Sequence, residues 1–141
     1  MIAIDTNLLV YAHRSGLPEH RRAQRAIEKA CSQRNGWAIP AFCATEFWAV
    51  VTHPAHPAGP SPVGEARAFL EELSASGARV LQPHDGFVER LMRCACDLKI
   101  QGRRIYDLQI ALVSFESGAS ELWTHDRHFV SLPGLPTRDP L

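Results

Sequence analysis

Short apolar runs alternate with helical segments along almost the whole chain, and this alternation limits the possible folds most strongly. The apolar runs, which are rich in β-branched or aromatic residues, are predicted to be strands, the last one at a sheet edge because it contains a proline. They cover residues 1–4, 37–39, 79–82, 121–124 and 135–138. The connections between them are long enough for parallel pairing. We therefore expect a three-layer α/β/α fold with a mainly parallel central sheet.

The segment that begins at Glu19 is predicted to be an amphipathic helix. Its apolar residues recur at i, i+3, i+4 and i+7, and they are Ala23, Ala26, Ile27 and Ala30. Its polar side carries a basic cluster of His20, Arg21, Arg22 and Arg25. Two interpretations of this cluster stay open: a solvated helix face, or a contact with a phosphate backbone or a partner.

Length and composition limit the class of protein. The chain has 141 residues, the usual size of one domain, so we expect a single domain over residues 1–141. Lys and Arg total 15, as do Asp and Glu, so a polyanion would have to be bound by local basic clusters. We find no membrane span and no signal peptide, which favours a cytoplasmic protein without a membrane partner.

Four acidic residues stand at positions that suggest a shared site. Asp5 follows the first predicted strand, and Asp126 follows the fourth. Asp107 lies in the first turn of a predicted helix, and Glu46 lies in the helical segment 41–52. In a parallel sheet the carboxyl ends of the strands meet at one edge, where helix N-termini also open. The sequence therefore predicts that the three aspartates converge there, with Glu46 beside them.

Crowded carboxylates repel one another and favour a hard divalent cation. Ligands that are all oxygen suit Mg²⁺ or Mn²⁺. Such a centre lowers the pKa of a bound water and neutralises charge that develops on a phosphate. The alternative is that the four acids are helix caps, a surface turn and an unrelated acid.

Glu46 poses a separate question, because the segment 41–52 is apolar almost all round and is predicted to be a buried helix. A buried, unpaired carboxylate costs several kcal/mol. Glu46 is therefore expected to be protonated, to pair with a base, to reach an exposed rim or to bind a cation.

These residues resemble the PIN-domain family, in particular the VapC-type toxins of toxin–antitoxin pairs. The matching features are Asp5-Thr6-Asn7, Glu46 in an alanine- and aromatic-rich helix, Asp107 followed by Ile110-Ala111, and Thr124-x-Asp126 with Phe129. The resemblance implies a magnesium-dependent endoribonuclease that hydrolyses RNA phosphodiesters. It also implies a small antitoxin partner and frequent homodimers.

The resemblance assigns roles by position. Asp5, Asp107 and Asp126 would hold the metal, with Glu46 as a further ligand. Glu46 would also order or deprotonate the attacking water, directly or through a water ligand. Thr6 and Thr124 would orient the carboxylates. Arg103 and Arg104 are candidates for phosphate contacts, although solvation of a basic loop explains them equally well.

Two other functions stay open on the sequence alone. One is a catalytically idle binding or regulatory module that acts through a partner. The other is a magnesium-dependent phosphatase of the haloacid dehalogenase type, which uses a strand-end Asp and a second Asp two residues later. Asn7 occupies that second position here, which disfavours the phosphatase.

Overall fold

The computed structural model describes the whole chain, residues 1–141, and its centre is a five-stranded sheet in which all neighbouring strands are parallel. The strands are β1 (Ile2–Ile4), β2 (Trp37–Pro40), β3 (Ala78–Leu81), β4 (Glu121–Trp123) and β5 (Thr137–Arg138). The expected α/β fold with a mainly parallel sheet is confirmed. The edge strand β5 is shorter than predicted, and only two of its residues pair with β4.

Six helices join these strands. They are α1 (Thr6–His13), α2 (His20–Cys31), α3 (Ala41–Val51), α4 (Val63–Ala75), α5 (Phe87–Asp97) and α6 (Ile105–Glu116), and a short 3₁₀ helix (Gly102–Arg104) leads into α6. None of these helices has the length and apolar character that crossing a membrane requires.

The strand order places a crevice at the centre of the sheet. The spatial order is β3-β2-β1-β4-β5, so the chain builds one half of the sheet outward from β1 and then returns to build the other half from β4. Ligands bind at such reversals in open parallel sheets, outside the carboxyl ends of the strands. The residues that follow β1 and β4 therefore lie at the position where this architecture favours a site.

One apolar core lies on both sides of this sheet and contains thirty buried residues. All of β1 is buried, which explains why its sequence is continuously apolar rather than alternating. The indoles of Trp37 and Trp123 are among the largest fully buried side chains. The core therefore holds the central strands rigidly and fixes the residues that follow them.

The prediction that α3 is buried all round is wrong. Cys43, Phe47 and Val51 form its buried stripe, whereas Trp48 and Val50 are each 38% exposed. The stripe recurs at every fourth residue, so only one face of the helix meets the core. Phe42 and Ala44 are half-buried against the core, whereas Trp48, Ala49 and Val50 are exposed, so the apolar composition of α3 overstates its burial.

Candidate active site

All four acidic residues singled out by sequence line one cavity of about 330 Å³ at the carboxyl ends of β1 and β4. Asp5 comes from the end of β1, Glu46 from α3, Asp107 from the first turn of α6, and Asp126 from the loop after β4. No Lys, Arg or His lines this cavity. The structure therefore brings together four carboxylates from distant parts of the sequence without a basic residue among them.

Asp5 is the most buried of the four, with 6% of its surface exposed. It is the N-cap of α1, and its Oδ1 accepts a hydrogen bond of 2.7 Å from the backbone N–H of Thr6. Burial raises the pKa of Asp5 to about 6, against opposing hydrogen bonds from Thr124 and Thr6 and with further repulsion from Glu46 and Asp107. The carboxylate is thus held in place at an electrostatic cost.

Thr124 and Asn7 hold the second oxygen of Asp5. The Thr124 hydroxyl donates to Oδ2 of Asp5 at 2.6 Å, and the Asn7 amide donates to the same oxygen at 2.8 Å. Thr124 Oγ1 also accepts from the backbone N–H of Asp126 at 3.0 Å. One buried hydroxyl therefore links the aspartate after β1 to the aspartate after β4.

Glu46 lies at an exposed rim of the cavity, which is one of the four outcomes that its sequence context left open. Its Oε2 accepts a hydrogen bond of 2.6 Å from the hydroxyl of Thr6. No basic residue forms an ion pair with it. Because Glu46 is exposed, its charge does not carry the cost of burial. The Thr6 hydrogen bond fixes the orientation of its carboxylate.

Asp107 and Asp126 complete the acidic wall. Oδ2 of Asp107 accepts from the backbone N–H of Val130 at 3.3 Å, and Oδ1 of Asp126 accepts from that of His128 at 2.8 Å. Partial burial raises the pKa of Asp107, the Val130 hydrogen bond opposes this, and Asp126 and Glu46 raise it further. The two carboxylates therefore lie close enough to sense each other's charge.

The donor set fits a divalent cation by its chemistry. Every ionisable side chain in the cavity except two tyrosines is a carboxylate, and the pKa values of Asp5 and Asp107 are raised in part by mutual repulsion. A hard cation would relieve that repulsion. No group of three or more Asp, Glu, His or Cys side chains in the structure has the mutual placement to hold one ion, so the acids would have to draw together around it.

The two basic candidates lie beside this cavity rather than in it. Arg103 lines a neighbouring cavity together with Glu46 and Tyr106. Arg104 directs its guanidinium to the carbonyl of His128 at 3.4 Å, and its charge lowers the pKa of Asp107. Both arginines are therefore at the rim of the acidic cavity.

Sequence reasoning gave no role at this site to Asn7 and Tyr106. Asn7 bonds to Asp5 and Thr124, and its Oδ1 also accepts from the backbone N–H of His125 at 3.1 Å. Asn7 stands two residues after Asp5, and this spacing could have predicted that its amide orients the Asp5 carboxylate. Tyr106 is 54% exposed and lines both the acidic cavity and the cavity of Arg103. An aromatic residue directly before Asp107 was the available signal.

Comparison with known proteins places this acid-lined α/β domain in a family. The model of the PIN domain family matches residues 2–135. The chain is 30% identical over 144 aligned residues to the VapC ribonuclease Mb2897 of Mycobacterium bovis, covering 100% of this chain and 96% of that protein. It is 26% identical to the ribonuclease VapC48 of Mycobacterium tuberculosis over 137 residues, covering 96% and 94%.

Solved structures share the fold. The VapC20 toxin of Mycobacterium tuberculosis, described as cleaving the sarcin–ricin loop, superposes with a TM-score of 0.69 at 16% identity over 92% of each chain. VapBC2 of Rickettsia felis, solved with a promoter DNA fragment, superposes with a TM-score of 0.64 at 18% identity over 98% of each chain. The chain belongs to the PIN domain family.

Proposed function

We propose that this protein is a metal-dependent endoribonuclease that acts as the toxin of a type II toxin–antitoxin pair. The observation that carries the proposal is the cavity at the β1–β4 crevice, lined by four carboxylates and no basic side chain. Full-length relatives named as VapC ribonucleases support the reaction class and the choice of RNA.

Asp5, Asp107 and Asp126 are the proposed metal ligands, with Glu46 able to reach the same ion through the shared cavity. Mg²⁺ is the proposed cation, and Mn²⁺ would serve because the donors are all oxygen. When bound, the cation neutralises charge on the phosphate and acidifies a coordinated water.

The side chains of this chain supply the rest of the chemistry. Thr6 directs the Glu46 carboxylate, which positions the attacking water and accepts its proton. Thr124 and Asn7 fix Asp5, so the carboxylate does not need to reorient during the reaction. Attack in line on the phosphodiester leaves a 5′-phosphate and a 3′-hydroxyl.

Arg103 and Arg104 are the proposed contacts to the RNA backbone beside the scissile bond. Both lie at the rim of the acidic cavity, and neither forms an ion pair with a carboxylate. Exposed Tyr106 stands between the two cavities and offers a flat face to an RNA base.

An antitoxin and a second copy of the chain are the proposed protein partners. Val50 is 38% exposed and lines the acidic cavity, so an apolar segment bound against it would cover the site. Val88 and Met92 of α5 are also exposed, and they offer an apolar face to a second copy. The four cysteines are all free, which suits the proposed cytoplasmic location.

The proposal is tested with the purified full-length chain and a labelled RNA pool. We expect cleavage with Mg²⁺ or Mn²⁺, none in EDTA, and none with the Asp126→Asn variant. Product ends distinguish the mechanism, because a 2′,3′-cyclic phosphate would exclude attack by water. A folded chain that binds RNA but never cleaves it with either metal would leave the idle binding module as the better description.

A further inference from the structure

The acidic cavity by itself repels the RNA that it is proposed to cleave. Four carboxylates line it, and the chain as a whole carries equal numbers of acidic and basic side chains. Because affinity for nucleic acid comes largely from cations placed at phosphates, a further basic site away from the acids would add to the attraction that Arg103 and Arg104 supply.

Such a site lies between α2 and the β4–β5 edge of the sheet, and we call it the α2–β5 pocket. It is a cavity of about 330 Å³ whose lining includes four cationic side chains: Arg22, Arg25, Lys29 and Arg138. The first three are spaced at i, i+3 and i+7 on α2, so they share one helix face. The basic cluster seen in the sequence is therefore split, since Arg21 does not line this pocket.

The four cations have no acidic partner in the protein. None of them forms an ion pair within 4.0 Å. The single acidic side chain of the lining, Asp139, is already engaged, because its carboxylate meets His125 Nδ1 at 2.9 Å and accepts from the backbone N–H of Leu141 at 2.9 Å. The pocket therefore holds an excess of positive charge that an anion would neutralise.

The wall of the pocket adds a second observation. Trp123 lines it, the guanidinium of Arg138 lies 5.7 Å from the centre of its ring, and its buried Nε1–H has no hydrogen-bond acceptor. A buried polar N–H without an acceptor is rare and costly. The ring of Trp123 therefore gives the pocket an aromatic wall beside Arg138.

The α2–β5 pocket and the acidic cavity both include residues at the carboxyl ends of the strands. Trp123 ends β4, and the chain then passes through Thr124 to His125. The His125 ring bonds to Asp139 of the pocket, and it lies 5.9 Å from the ring of Tyr11, which lines the acidic cavity. His125 therefore connects a lining residue of one cavity to a lining residue of the other.

We propose that the α2–β5 pocket binds backbone phosphates of the same RNA strand whose scissile bond lies in the acidic cavity. This inference rests on the proposed function and names a further part of its substrate site. The guanidinium groups of Arg22, Arg25 and Arg138 match phosphate geometry with paired N–H donors. The pocket thus supplies attraction at a distance from the carboxylates, which perform the chemistry.

An acidic protein segment is the competing occupant. RNA is favoured because the pocket shares an edge with the acidic cavity through His125, so that one extended strand can reach both. An acidic peptide that extended from the pocket to the acidic cavity would be repelled by the four carboxylates. It has no scissile phosphate to place at the metal there.

The test measures RNA binding without cleavage, by fluorescence anisotropy of a single-stranded RNA in EDTA over a series of NaCl concentrations. The variant is Arg22→Ala with Arg25→Ala, and the matched control is Arg21→Ala with Arg34→Ala, which removes the same charge from exposed positions outside the pocket. We expect the log–log salt slope to fall by about 1.4 in the pocket variant, two single-strand contacts, and to stay near wild type in the control.

Several outcomes overturn the inference. Equal salt slopes of RNA binding in the two double variants would show that the net charge of the protein, and not the pocket, sets the salt dependence. Poly-glutamate serves as a probe for an acidic protein segment. If the pocket variant lost binding to poly-glutamate but bound RNA like the wild type, the pocket would be assigned to an acidic protein segment. A wild-type protein that cleaves RNA while the pocket variant keeps its slope would reject this inference and leave the proposed function intact. A reduced salt slope in the pocket variant of a protein that never cleaves RNA would support this inference and reject the proposed function.

A second readout reports the pocket directly. The chain has three tryptophans, so each indole N–H gives one resolvable signal in a ¹⁵N-labelled sample. Addition of the RNA oligonucleotide in EDTA is expected to shift the indole signal of Trp123 and to leave that of Trp37 unchanged, since Trp37 Nε1 is directed at the carbonyl of Ser76. The shift should be lost in the pocket variant, and an unmoved Trp123 signal at saturating RNA would contradict the inference.

Discussion

The hydroxyl of Thr6 lies 2.6 Å from Oε2 of Glu46 and donates a hydrogen bond to it. These residues are forty positions apart in sequence, and the bond joins the first turn of α1 to α3. Because Thr6 directly follows Asp5, the same short segment fixes one carboxylate by its backbone N–H and a second by its side chain. The relative placement of these two acids is thus set by Asp5 and Thr6 together.

Replacement of Glu46 by Gln should separate a catalytic from an incidental role. Gln keeps the shape and can accept the Thr6 hydrogen bond, but it cannot take a proton from water. We expect single-turnover cleavage at saturating Mg²⁺ to fall by about 10² to 10⁴. Calorimetric metal affinity should fall less, since three aspartates remain. Cleavage near the wild-type rate would assign Glu46 to the surface, and equal losses of rate and affinity would make it a direct ligand.

Thr6 provides the matched test of orientation. Thr6→Ser keeps the hydroxyl that bonds to Glu46, whereas Thr6→Val keeps the shape and loses it. We expect Ser to retain most of the activity and Val to lower the cleavage rate without lowering thermal stability in proportion. A rate for Val equal to that for Ser would show that the hydrogen bond does not affect cleavage.

Asp107→Asn should stabilise the metal-free protein while it abolishes cleavage. Partial burial and the charges of Asp126 and Glu46 raise the pKa of Asp107, so its ionised form is less favourable in the folded protein than in the unfolded chain. A neutral amide removes that cost and can still accept from Val130. The melting temperature in EDTA should rise by a few degrees, whereas Asp85→Asn at an exposed position should have little effect. A lowered melting temperature would contradict the crowding of charge.

The stability of the metal-free protein should fall as pH rises through the range in which Asp5 ionises. Burial raises its pKa from 3.8 to about 6, so the folded state binds the proton more tightly than the unfolded state. The contribution of protonated Asp5 to the free energy of unfolding is therefore full below pH ~4 and is lost by pH ~6, with a change on the order of 3 kcal/mol.

Asp5→Asn serves as the reference for this experiment, because it removes the titration. Denaturant unfolding in EDTA should show that the stability of the wild type, relative to Asp5→Asn, decreases between pH ~4 and pH ~6. Saturating Mg²⁺ should offset the loss at the upper end by mass action. A difference that is constant with pH would show that Asp5 has an ordinary pKa.

Thr124→Val should destabilise the fold, whereas Thr124→Ser should not. The buried hydroxyl donates to Asp5 and accepts from Asn7 and from the backbone of Asp126. Valine leaves these groups without a partner, at a cost of about 1–3 kcal/mol. Denaturant unfolding measures the change, and a stability within error of wild type for Val would mean that water replaces the hydroxyl.

The rim arginines are tested by Arg103→Ala with Arg104→Ala. If both contact phosphates, the salt slope of RNA binding in EDTA should fall by about 1.4. Calorimetric Mg²⁺ affinity should change little, since the carboxylates are intact. An unchanged slope would limit these arginines to solvation of the basic loop.

The parallel sheet and the grouping of the four acidic side chains could both be predicted from the sequence. Continuous apolar runs such as Ile2–Ile4 indicate strands buried on both faces, and the connecting helices require parallel pairing. A carboxylate directly after such a strand, as in Asp5, must then lie at the carboxyl edge. These inferences need only local periodicity and one general rule about parallel sheets.

The buried face of each helix and the contacts between distant side chains could not be predicted, because they depend on how the elements pack. Composition predicted a buried α3, but the packing of a single stripe leaves Glu46 and Trp48 exposed. The Thr6–Glu46 bond and the convergence of Arg22 with Arg138 join residues far apart along the chain. Such contacts depend on the relative positions of whole elements, which the packing of the core sets and which no local sequence pattern encodes.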